Sequence, residues 1–254
     1  MQIQLSVVII TFNEEKNIAR CINSVSEIAD EVVVVDSFST DSTEQICTAL
    51  GVTFIKQKFL GHIEQKNFAI SKASFPYILS LDADEALSNE LLATVKKIKE
   101  NWQADGYILN RKTNYCGQWI KHCGWYPDPK LRLWDSRKGY WGGVNPHDIF
   151  IMEAGAQVVK IKGDLLHYSF YTMSQHLEQV NKFTQIGAEQ LFSKGKRPGF
   201  YQLFCKPGFK FFISYFLKRG FLDGFYGYCI CKISAHAVYL KYAKAEELFR
   251  KAGK

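Results

Sequence analysis

The sequence of 254 residues lacks three features that would each define a class of protein. It has neither a Gly-x-Gly-x-x-Gly fingerprint after its first apolar run nor a Gly-Lys-Ser/Thr motif, which excludes phosphate-binding loops of the Rossmann and P-loop types. Its apolar runs are far shorter than the roughly 20 residues that span a bilayer. The amino terminus shows no basic and apolar leader, so we expect no export.

Cysteine is present, but not in a pattern typical of a metal site. The seven cysteines are scattered, and no pair of Cys-x-x-Cys motifs occurs. Reduced structural thiols in a cytoplasmic protein are the plain expectation. Cys116 and Cys123 could form a disulfide, although nothing in the sequence requires it.

The composition is that of a globular protein with an excess of positive charge. The chain is 47% hydrophobic, and its formal net charge is +7. Much of the excess lies late, from Lys194 onward. Such a bias suits nucleic acid, a phosphorylated glycolipid or an anionic membrane surface, and an ordinary solvated face explains it equally well. Because no recognition motif accompanies the charge, we predict that the protein does not bind nucleic acid.

Apolar runs and helical patterns alternate through the first hundred residues. The run Glu31–Asp36 has no polar alternation, as expected of a parallel strand covered on both faces. A capping box at 41–44 predicts the start of the helix that follows. Four strands alternating with three helices predict an α/β fold with a doubly wound, mostly parallel sheet. Ligands of such sheets bind beyond the carboxyl ends of the strands.

The stretch Tyr77–Glu85 is an apolar run that ends in three carboxylates. In an extended chain Asp82 and Asp84 point to the same side, so they could converge on one hard cation. Mg²⁺ or Mn²⁺ bridging a diphosphate is the natural ligand. The alternative is an acidic loop that caps the helix beginning near Ser88.

Several segments together resemble glycosyltransferase family 2, and the resemblance covers most of the chain. They are residues 7–14 (VVIITFNE), 35–43 (VDSFSTDST), 65–69 (QKNFA) and 81–85 (LDADE). Weaker similarity to the bacterial lipopolysaccharide core glucosyltransferase subgroup continues through 131–134, 145–148 and 166–169. The resemblance implies the nucleotide-sugar-dependent GT-A fold.

The resemblance also implies roles in binding the donor. The turn that contains Thr11, Asn13 and Glu14 would hold uracil and ribose, together with Asp36. A carboxylate that accepts a hydrogen bond from a ring N–H fits this role. For Asp36 the alternative is a loop cap. Lys66 would lie near the diphosphate, although a lysine on an amphipathic helix is more often solvated.

The implied metal site lies at the acidic stretch. Asp84 would bind Mg²⁺ or Mn²⁺ directly, and Asp82 would contact ribose or a second metal position. His167 resembles the histidine that completes the metal site in related enzymes, but a lone histidine is as often structural. It follows the strand-like 158–161 and a predicted turn at 163–164.

We predict that Asp148 is the catalytic base. Direct displacement at an anomeric carbon needs a carboxylate opposite the leaving diphosphate, and it gives inversion. The subgroup usually has His-Glu where this chain has His147-Asp148, and a turn aspartate after proline is the alternative. His147 and Arg132 are predicted to bind the acceptor, since alternation along 130–134 places Arg132 on the face of Lys130 and Trp134.

The predicted division is a catalytic domain at 1–170 and a helical region at 171–254. Within the domain, 1–100 would bind the nucleotide-sugar, and the aromatic 101–170 would bind the acceptor through its flat rings, with core packing as the alternative for each ring. In the helical region, aromatic residues beside lysines suit an anionic membrane surface. Packing on the catalytic domain or on a second subunit explains them equally well.

The sequence therefore predicts a metal-dependent inverting glycosyltransferase. It would move glucose from UDP-glucose to a saccharide or glycolipid acceptor of the lipopolysaccharide core or another envelope glycan. Transfer to a polyprenyl phosphate and a non-catalytic nucleotide-sugar-binding protein are the alternatives. The expected location is cytoplasmic and peripheral at the inner face of the bacterial plasma membrane, with a homo-oligomer left open.

Overall fold

A computed structural model of the chain describes residues 2–145 and 147–253, except the side chain of His147. The first half alternates strands and helices as predicted. Its elements are β1 (Leu5–Thr11), α1 (Ile18–Asn23), β2 (Glu31–Asp36), α2 (Thr43–Ala49), β3 (Thr53–Lys56), α3 (His62–Ser71) and β4 (Tyr77–Asp82).

The second half is richer in antiparallel strands and ends in helices. Its elements are β5 (Glu85–Leu87), α4 (Asn89–Glu100), β6 (Gly106–Tyr115), β7 (Gln118–Trp119), β8 (Asp128–Asp135), β9 (Gly139–Val144), β10 (His147–Met152), β11 (Val158–Phe170), α5 (Met173–Ser193), α6 (Lys206–Phe212) and α7 (Gly224–Lys251). Two π-helical turns, Tyr201–Cys205 and Ile213–Leu217, flank α6.

The main sheet has the order β3-β2-β1-β4-β8-β6-β11-β5, with β7 paired to β6, and β9 and β10 form a separate hairpin. Strands β1 to β4 are parallel, whereas β8 runs antiparallel to both β4 and β6. The register places Thr11 beside Asp36 and Ile10 beside Asp82. The carboxyl ends of β1, β2 and β4 therefore meet at one edge, and the predicted doubly wound α/β fold with carboxyl-terminal helices is confirmed.

Strand β1 is buried on both faces, which explains its continuous apolar sequence. Leu5, Val7 and Ile9 belong to one core cluster, with Leu91 of α4. Val8 faces the other way, into a second cluster with residues of β2, α3 and the β9–β10 hairpin. A central strand packed on both sides fixes the position of the strand ends that carry polar residues.

Two local predictions were wrong. Helix α2 begins at Thr43 without a capping box, because the carboxylate of Asp41 accepts hydrogen bonds from the backbone N–H and the hydroxyl of Thr43.

The predicted turn at 163–164 lies instead within the continuous strand β11. Gly163 has φ of +94°, and a Cβ atom there would lie 2.4 Å from the backbone nitrogen of Leu91. Glycine at this position therefore reflects a close approach to α4 rather than a turn.

The chain divides into two compact units. The first ends at Lys112 and resumes at Asp128–Tyr168, and the second consists of Thr113–Pro127 and the residues from Ser169 onward. The boundary after Tyr168 lies two residues before the one predicted after residue 170, but 113–127, which the prediction assigned to the acceptor half, is part of the second unit. The reason is long-range packing, since Tyr115 and Ile120 share a core cluster with residues of α7.

The second unit is held together by α5 and α7. Helix α5 begins with a capping box, in which Thr172 and Gln175 exchange side-chain and backbone hydrogen bonds. All seven cysteines are free thiols, so the disulfide considered between Cys116 and Cys123 is not formed. Among the residues that the structure describes, no helix is long and apolar enough to cross a membrane.

Candidate active site

The charged side chains at the end of β4 form a buried network within the first unit. Nζ of Lys66, on α3, lies 3.2 Å from Oδ1 of Asp82, and Nη2 of Arg132, on β8, lies 2.6 Å from Oδ2. The side chains of Lys66 and Arg132 are each 4% exposed. Burial by itself would raise the pKa of Asp82, but the two cations hold it well below its ordinary value. Asp82 is therefore a fixed negative charge.

Arg132 does not occupy the predicted acceptor-facing position. Its guanidinium also lies 2.9 Å from Oε1 of Glu85, whose side chain is fully buried. Arg111 approaches the same oxygen at 3.5 Å and pairs with Asp128. Simple alternation does not hold at Arg132, because the register of β8 against β6 shifts between Leu131 and Leu133. The side chain of Arg132 packs on the acids at the end of β4. Arg132 is thus an internal counter-ion, and it could contact an acceptor phosphate only by leaving these partners.

Glu85 is the residue that sequence reasoning missed. Its Oε1 accepts from Arg132 and Arg111, and its Oε2 accepts a hydrogen bond of 3.1 Å from the backbone N–H of Asp82. Glu85 therefore ties the cations to the turn after β4. The signal was present, since Glu85 is the third carboxylate of the acidic stretch, but its partners Arg111 and Arg132 lie 26 and 47 residues away in sequence.

The predicted base, Asp148, lies beside this network. Nζ of Lys66 donates to Oδ2 of Asp148 over 2.7 Å, so one lysine bridges Asp82 and Asp148. The same Nζ lies 4.4 Å from the ring centroid of Trp141. The Asp148 side chain is 14% exposed, so the carboxylate is partly accessible. Lys66 is not the solvated lysine of the alternative interpretation.

The hairpin that carries Asp148 is attached to α3. Asn67 makes two hydrogen bonds with the backbone of Trp141, over 2.9 and 3.0 Å. Asn145 accepts from the backbone N–H of Ile63 and donates to Glu64. These contacts fix the register of β9 and β10 against the helix, and they position Asp148 near Lys66. The predicted acceptor residue His147 has its backbone in β10, but its side chain lies outside the described set.

Asp84 and His167 form a second pair. Nε2 of His167 lies 3.1 Å from Oδ2 of Asp84, and the backbone N–H of Tyr168 donates to the carbonyl of Asp84 over 2.8 Å. Burial lowers the pKa of His167, but the carboxylate of Asp84 outweighs this effect, so the net pKa is raised. The structure thus brings together the two residues predicted as metal ligands.

The chain is not extended from Asp82 to Asp84, contrary to the geometry assumed in the sequence prediction. Strand β4 ends at Asp82 and the next two residues form a turn, so the two carboxylates have different partners. In the described part of the chain, no three His, Cys, Asp or Glu side chains group as a metal site. A pair of protein ligands still fits a divalent ion, because Mg²⁺ bound with substrate phosphates commonly takes only one or two carboxylates.

The residues predicted to hold the nucleoside lie at the ends of β1 and β2. Asp36 is fully buried, and it accepts hydrogen bonds from the backbone N–H and the hydroxyl of Ser39. The backbone N–H of Asn13 donates to the same hydroxyl over 2.8 Å, and its side-chain oxygen accepts from Thr40. Asp36 therefore acts as the loop cap that the alternative interpretation described. Contact with a nucleoside stays a prediction.

Two buried polar atoms at this edge have no hydrogen-bond partner among the described residues. They are Oγ1 of Thr11 and Oε1 of Gln65. The two side chains are linked through Ser37, whose backbone N–H donates to the carbonyl of Thr11 and whose hydroxyl accepts from Gln65. Buried polar atoms without partners are costly, and a bound ligand is one way to satisfy them.

Glu14, in the same loop, has a raised pKa. Burial raises its pKa from 4.5 to about 7, although a hydrogen bond from Asn17 opposes the rise and the charge of Asp84 adds to it. The backbone N–H of Glu14 donates to Thr43, so the turn is tied to the start of α2. Glu14 is partly protonated at neutral pH, unlike the acceptor-only carboxylate that was expected.

The aromatic rings expected to stack on sugars are divided between core and surface. Trp134 and Trp141 are buried, and the ring of Trp134 stacks on Phe150 with centroids 3.9 Å apart. Tyr107 and Tyr115 are also buried, so core packing explains these four rings. Tyr140 is 59% exposed, which leaves it available for a ligand.

The fold and the site together are those of an α/β enzyme whose strand-end carboxylates pair with Lys66, Arg132 and His167. Residues 6–153 match the sequence profile of glycosyl transferase family 2, more than half of the chain. An uncharacterised glycosyltransferase of Rickettsia typhi is 31% identical over 98% of this chain and 89% of its own length. The chain belongs to glycosyl transferase family 2, and the predicted class of enzyme is confirmed.

Two further proteins are similar to this chain. The lipopolysaccharide core biosynthesis glycosyltransferase LpsC of Rhizobium meliloti is 28% identical over 95% of this chain and 94% of its own length. Among solved structures, residues 1–349 of S. aureus TarS in complex with UDP are 18% identical, with 98% of this chain and 92% of that chain covered and a TM-score of 0.45.

Proposed function

We propose that this glycosyltransferase is a metal-dependent, inverting hexosyltransferase that moves glucose from UDP-glucose to a saccharide of the lipopolysaccharide core or another envelope glycan. The observation that carries the proposal is the bridge of Lys66 between Asp82 and Asp148. It holds a partly exposed carboxylate beside the acidic stretch at the end of β4. A family 2 enzyme of this design needs both a cation-binding acid and a base at one edge of the sheet.

The donor would bind at the ends of β1 and β2. Thr11 and Gln65 supply buried polar atoms without partners in the described part of the chain, and these atoms suit the carbonyl and N–H groups of uracil. Asn13 lies in the same loop with φ of +55°, held by Ser39 and Thr40. In this proposal Asp36 positions the loop, and the residues around it make the contacts with the nucleoside.

Asp84 and His167 would hold the divalent ion together with the diphosphate of the donor. Their side chains are 22% and 14% exposed, so a ligand can reach them. When bound, Mg²⁺ or Mn²⁺ supplies positive charge that stabilises the leaving diphosphate. Lys66 is the protein cation suited to the same diphosphate, provided that it exchanges one carboxylate partner for a phosphate oxygen.

Asp148 would accept the proton of the attacking hydroxyl. The acceptor oxygen forms a bond to the anomeric carbon on the face opposite the diphosphate, the bond from this carbon to the diphosphate oxygen breaks, and the proton passes to a carboxylate oxygen of Asp148. Displacement of this kind inverts the anomeric configuration. The second partner of Lys66, Asp82, keeps the lysine in place when Asp148 becomes neutral.

The acceptor class follows from similarity alone. LpsC, whose name places it in lipopolysaccharide core biosynthesis, aligns over nearly the whole of this chain. We therefore assign a saccharide acceptor of that kind, with β9 and β10, including His147, as the acceptor side. The proposed division of labour is donor binding by 1–100 and acceptor binding by the remainder of the first unit.

The test begins with calorimetric titration of the protein with UDP and a panel of nucleotide sugars, first with Mn²⁺ and then with EDTA. Metal-dependent binding of UDP and UDP-glucose is expected. Transfer is then measured with core saccharide and with polyprenyl phosphate as acceptors, and the anomeric configuration of the product is read by NMR. Absence of nucleotide binding under both conditions would overturn the donor site, and a retained configuration would overturn the role of Asp148.

A further inference from the structure

The chain that follows α5 has an unusual combination of charge and exposed apolar surface. Residues 194–222, here called the basic aromatic segment, contain seven lysines and arginines and no aspartate or glutamate. Ten large apolar side chains of this segment are exposed, among them Phe200 at 73%, Leu217 at 66% and Phe204 at 64%. Exposed apolar groups at this density mark an interaction surface rather than ordinary surface variation.

The exposed aromatic residues are not needed for the core of the second unit. Around α6, Phe211 and Tyr215 point inward and pack against a cluster that includes Ile230. Phe212 and Phe216, each 50% exposed, lie on the other side and contact one another with ring centroids 5.3 Å apart. One face of this region therefore packs on the core of the second unit, and no described residue covers the other face.

A basic cavity of about 350 Å³ adjoins this apolar face. Its cationic lining is Lys121, Lys218 and Arg219, beside His122 and the apolar Leu217. The buried carboxylate of Asp223 fixes the cavity wall, because it accepts hydrogen bonds from the backbone N–H groups of residues 121 and 122 and contacts Nδ1 of His122 at 3.0 Å.

Glycine shapes the same cavity. A Cβ atom on Gly124, which has φ of +78°, would lie 2.5 Å from Cδ of Lys218. The lysine stem therefore lies close to the glycine backbone. The cavity is a cationic recess next to exposed apolar side chains, which is the pattern that a phosphate headgroup on an acyl chain would match.

We propose that the basic aromatic segment binds the surface of an anionic phospholipid bilayer. The exposed aromatic and aliphatic side chains enter the boundary between headgroups and acyl chains, and the cavity with Lys218 and Arg219 receives a headgroup phosphate. Amphipathic, cationic helices bind membranes in this way without spanning them.

The charge of the segment argues against a second copy of this chain as the occupant. A two-fold interface brings the same surface of both subunits together. Residues 194–222 offer no carboxylate to pair with the cations of a partner segment, so such an interface would oppose like charges. A bilayer with anionic headgroups supplies the missing negative charge. This inference does not depend on the sugar donor or the acceptor.

The experiment is co-sedimentation of the full chain with vesicles, made either of phosphatidylglycerol and phosphatidylethanolamine or of phosphatidylcholine alone. We expect binding to the anionic vesicles that weakens from 0.1 to 0.5 M salt. The double variant Lys218→Glu/Arg219→Glu should bind at least about 30-fold more weakly, since each cation near an anionic surface contributes about fivefold. Phe212→Ser/Phe216→Ser should weaken binding roughly tenfold or more.

Matched controls lie on β11 in the first unit. Lys160→Glu/Lys162→Glu makes the same charge change, and Val158→Ser/Val159→Ser removes exposed apolar side chains. Both control variants should bind vesicles like the parent protein, and unchanged melting temperatures verify folding of all four.

Failure of the parent protein to sediment with anionic vesicles would overturn the proposal. So would binding that the segment variants and the controls weaken equally. A dimer in sedimentation equilibrium that Phe212→Ser/Phe216→Ser dissociates, without lipid binding by the parent, would show that a second copy covers the segment instead.

Discussion

The strand-end site and the basic aromatic segment both concentrate charge, but they do so in opposite ways. At the site, Lys66 and Arg132 are buried and lie within 3.2 Å of Asp82. In the segment, Lys218 and Arg219 are exposed, and no carboxylate occurs between residues 194 and 222. Buried charges with fixed partners define geometry, whereas exposed charges act through a field that salt screens.

The largest expected effect tests whether the paired Asp148 is the base. Asp148→Asn should lower kcat by about 10³-fold or more, because the amide cannot take the acceptor proton. Donor affinity should change little, since Lys66 keeps its contact with Asp82. Glu44→Gln, which also removes a lysine-paired carboxylate but on the surface, is the control. Turnover near the parent value in Asp148→Asn would place the base elsewhere.

Replacement of Arg132 tests the cost of breaking the buried network. Arg132→Met leaves Asp82 and Glu85 without their main cation, so the free energy of unfolding should fall by about 3–5 kcal/mol. Urea denaturation followed by circular dichroism measures this change.

The control for that experiment is an ion pair that is exposed on both sides. Nζ of Lys56 lies 2.6 Å from Oε2 of Glu44, and the two side chains are 42% and 44% exposed. Lys56→Met should cost less than about 1 kcal/mol, because solvent already screens the pair. Equal losses in the two variants would contradict the contrast between buried and exposed charge.

Asp84→Asn tests the proposed metal ligand. The variant should lose on the order of 100-fold in UDP affinity in the presence of Mn²⁺, and addition of EDTA should then have little further effect. Glu90→Gln, an exposed acid on α4, should bind UDP like the parent protein. Calorimetry that shows full Mn²⁺-dependent affinity in Asp84→Asn would remove this residue from the metal site.

The smallest expected effect concerns the pKa of Glu14, which burial raises to about 7. Because the folded state favours the protonated acid, this group contributes stability below pH 4.5 that is lost as the pH rises through 7. The variant Glu14→Gln has no such loss. Its stability relative to the parent should therefore increase by about 2 kcal/mol from pH 5 to pH 8. A pH-independent difference in urea denaturation would show that Glu14 is not buried as described.

The fold was predictable because its signals are local. The run Glu31–Asp36 has the apolar continuity of a parallel strand buried on both faces, and the polar turns after β1, β2 and β4 mark the edge where ligands bind. The acids of the candidate site are therefore readable from their positions in the chain, and so are Asp148 and His167 from their resemblance to the family.

The partners of these acids were less predictable. Lys66 and Asp148 are 82 residues apart, and the sequence assigned the lysine to the diphosphate rather than to a bridge between two carboxylates. Glu85 and Arg132 are 47 residues apart, and their pairing turned an expected acceptor contact into a buried counter-ion. The period of two along a strand predicts the face on which a side chain lies, but it does not predict which side chain from a distant segment will contact it.

The sequence by itself determined the alternation of strands and helices through β4, the family and the positions of most candidate acids, because each depends on residues close together in the chain. Only the tertiary structure decided that Asp82 and Asp84 have separate partners, that Thr113–Pro127 packs with the carboxyl-terminal helices and that Phe212 and Phe216 face outward. These features depend on contacts between distant segments, and burial and pairing energies exist only after the chain has folded.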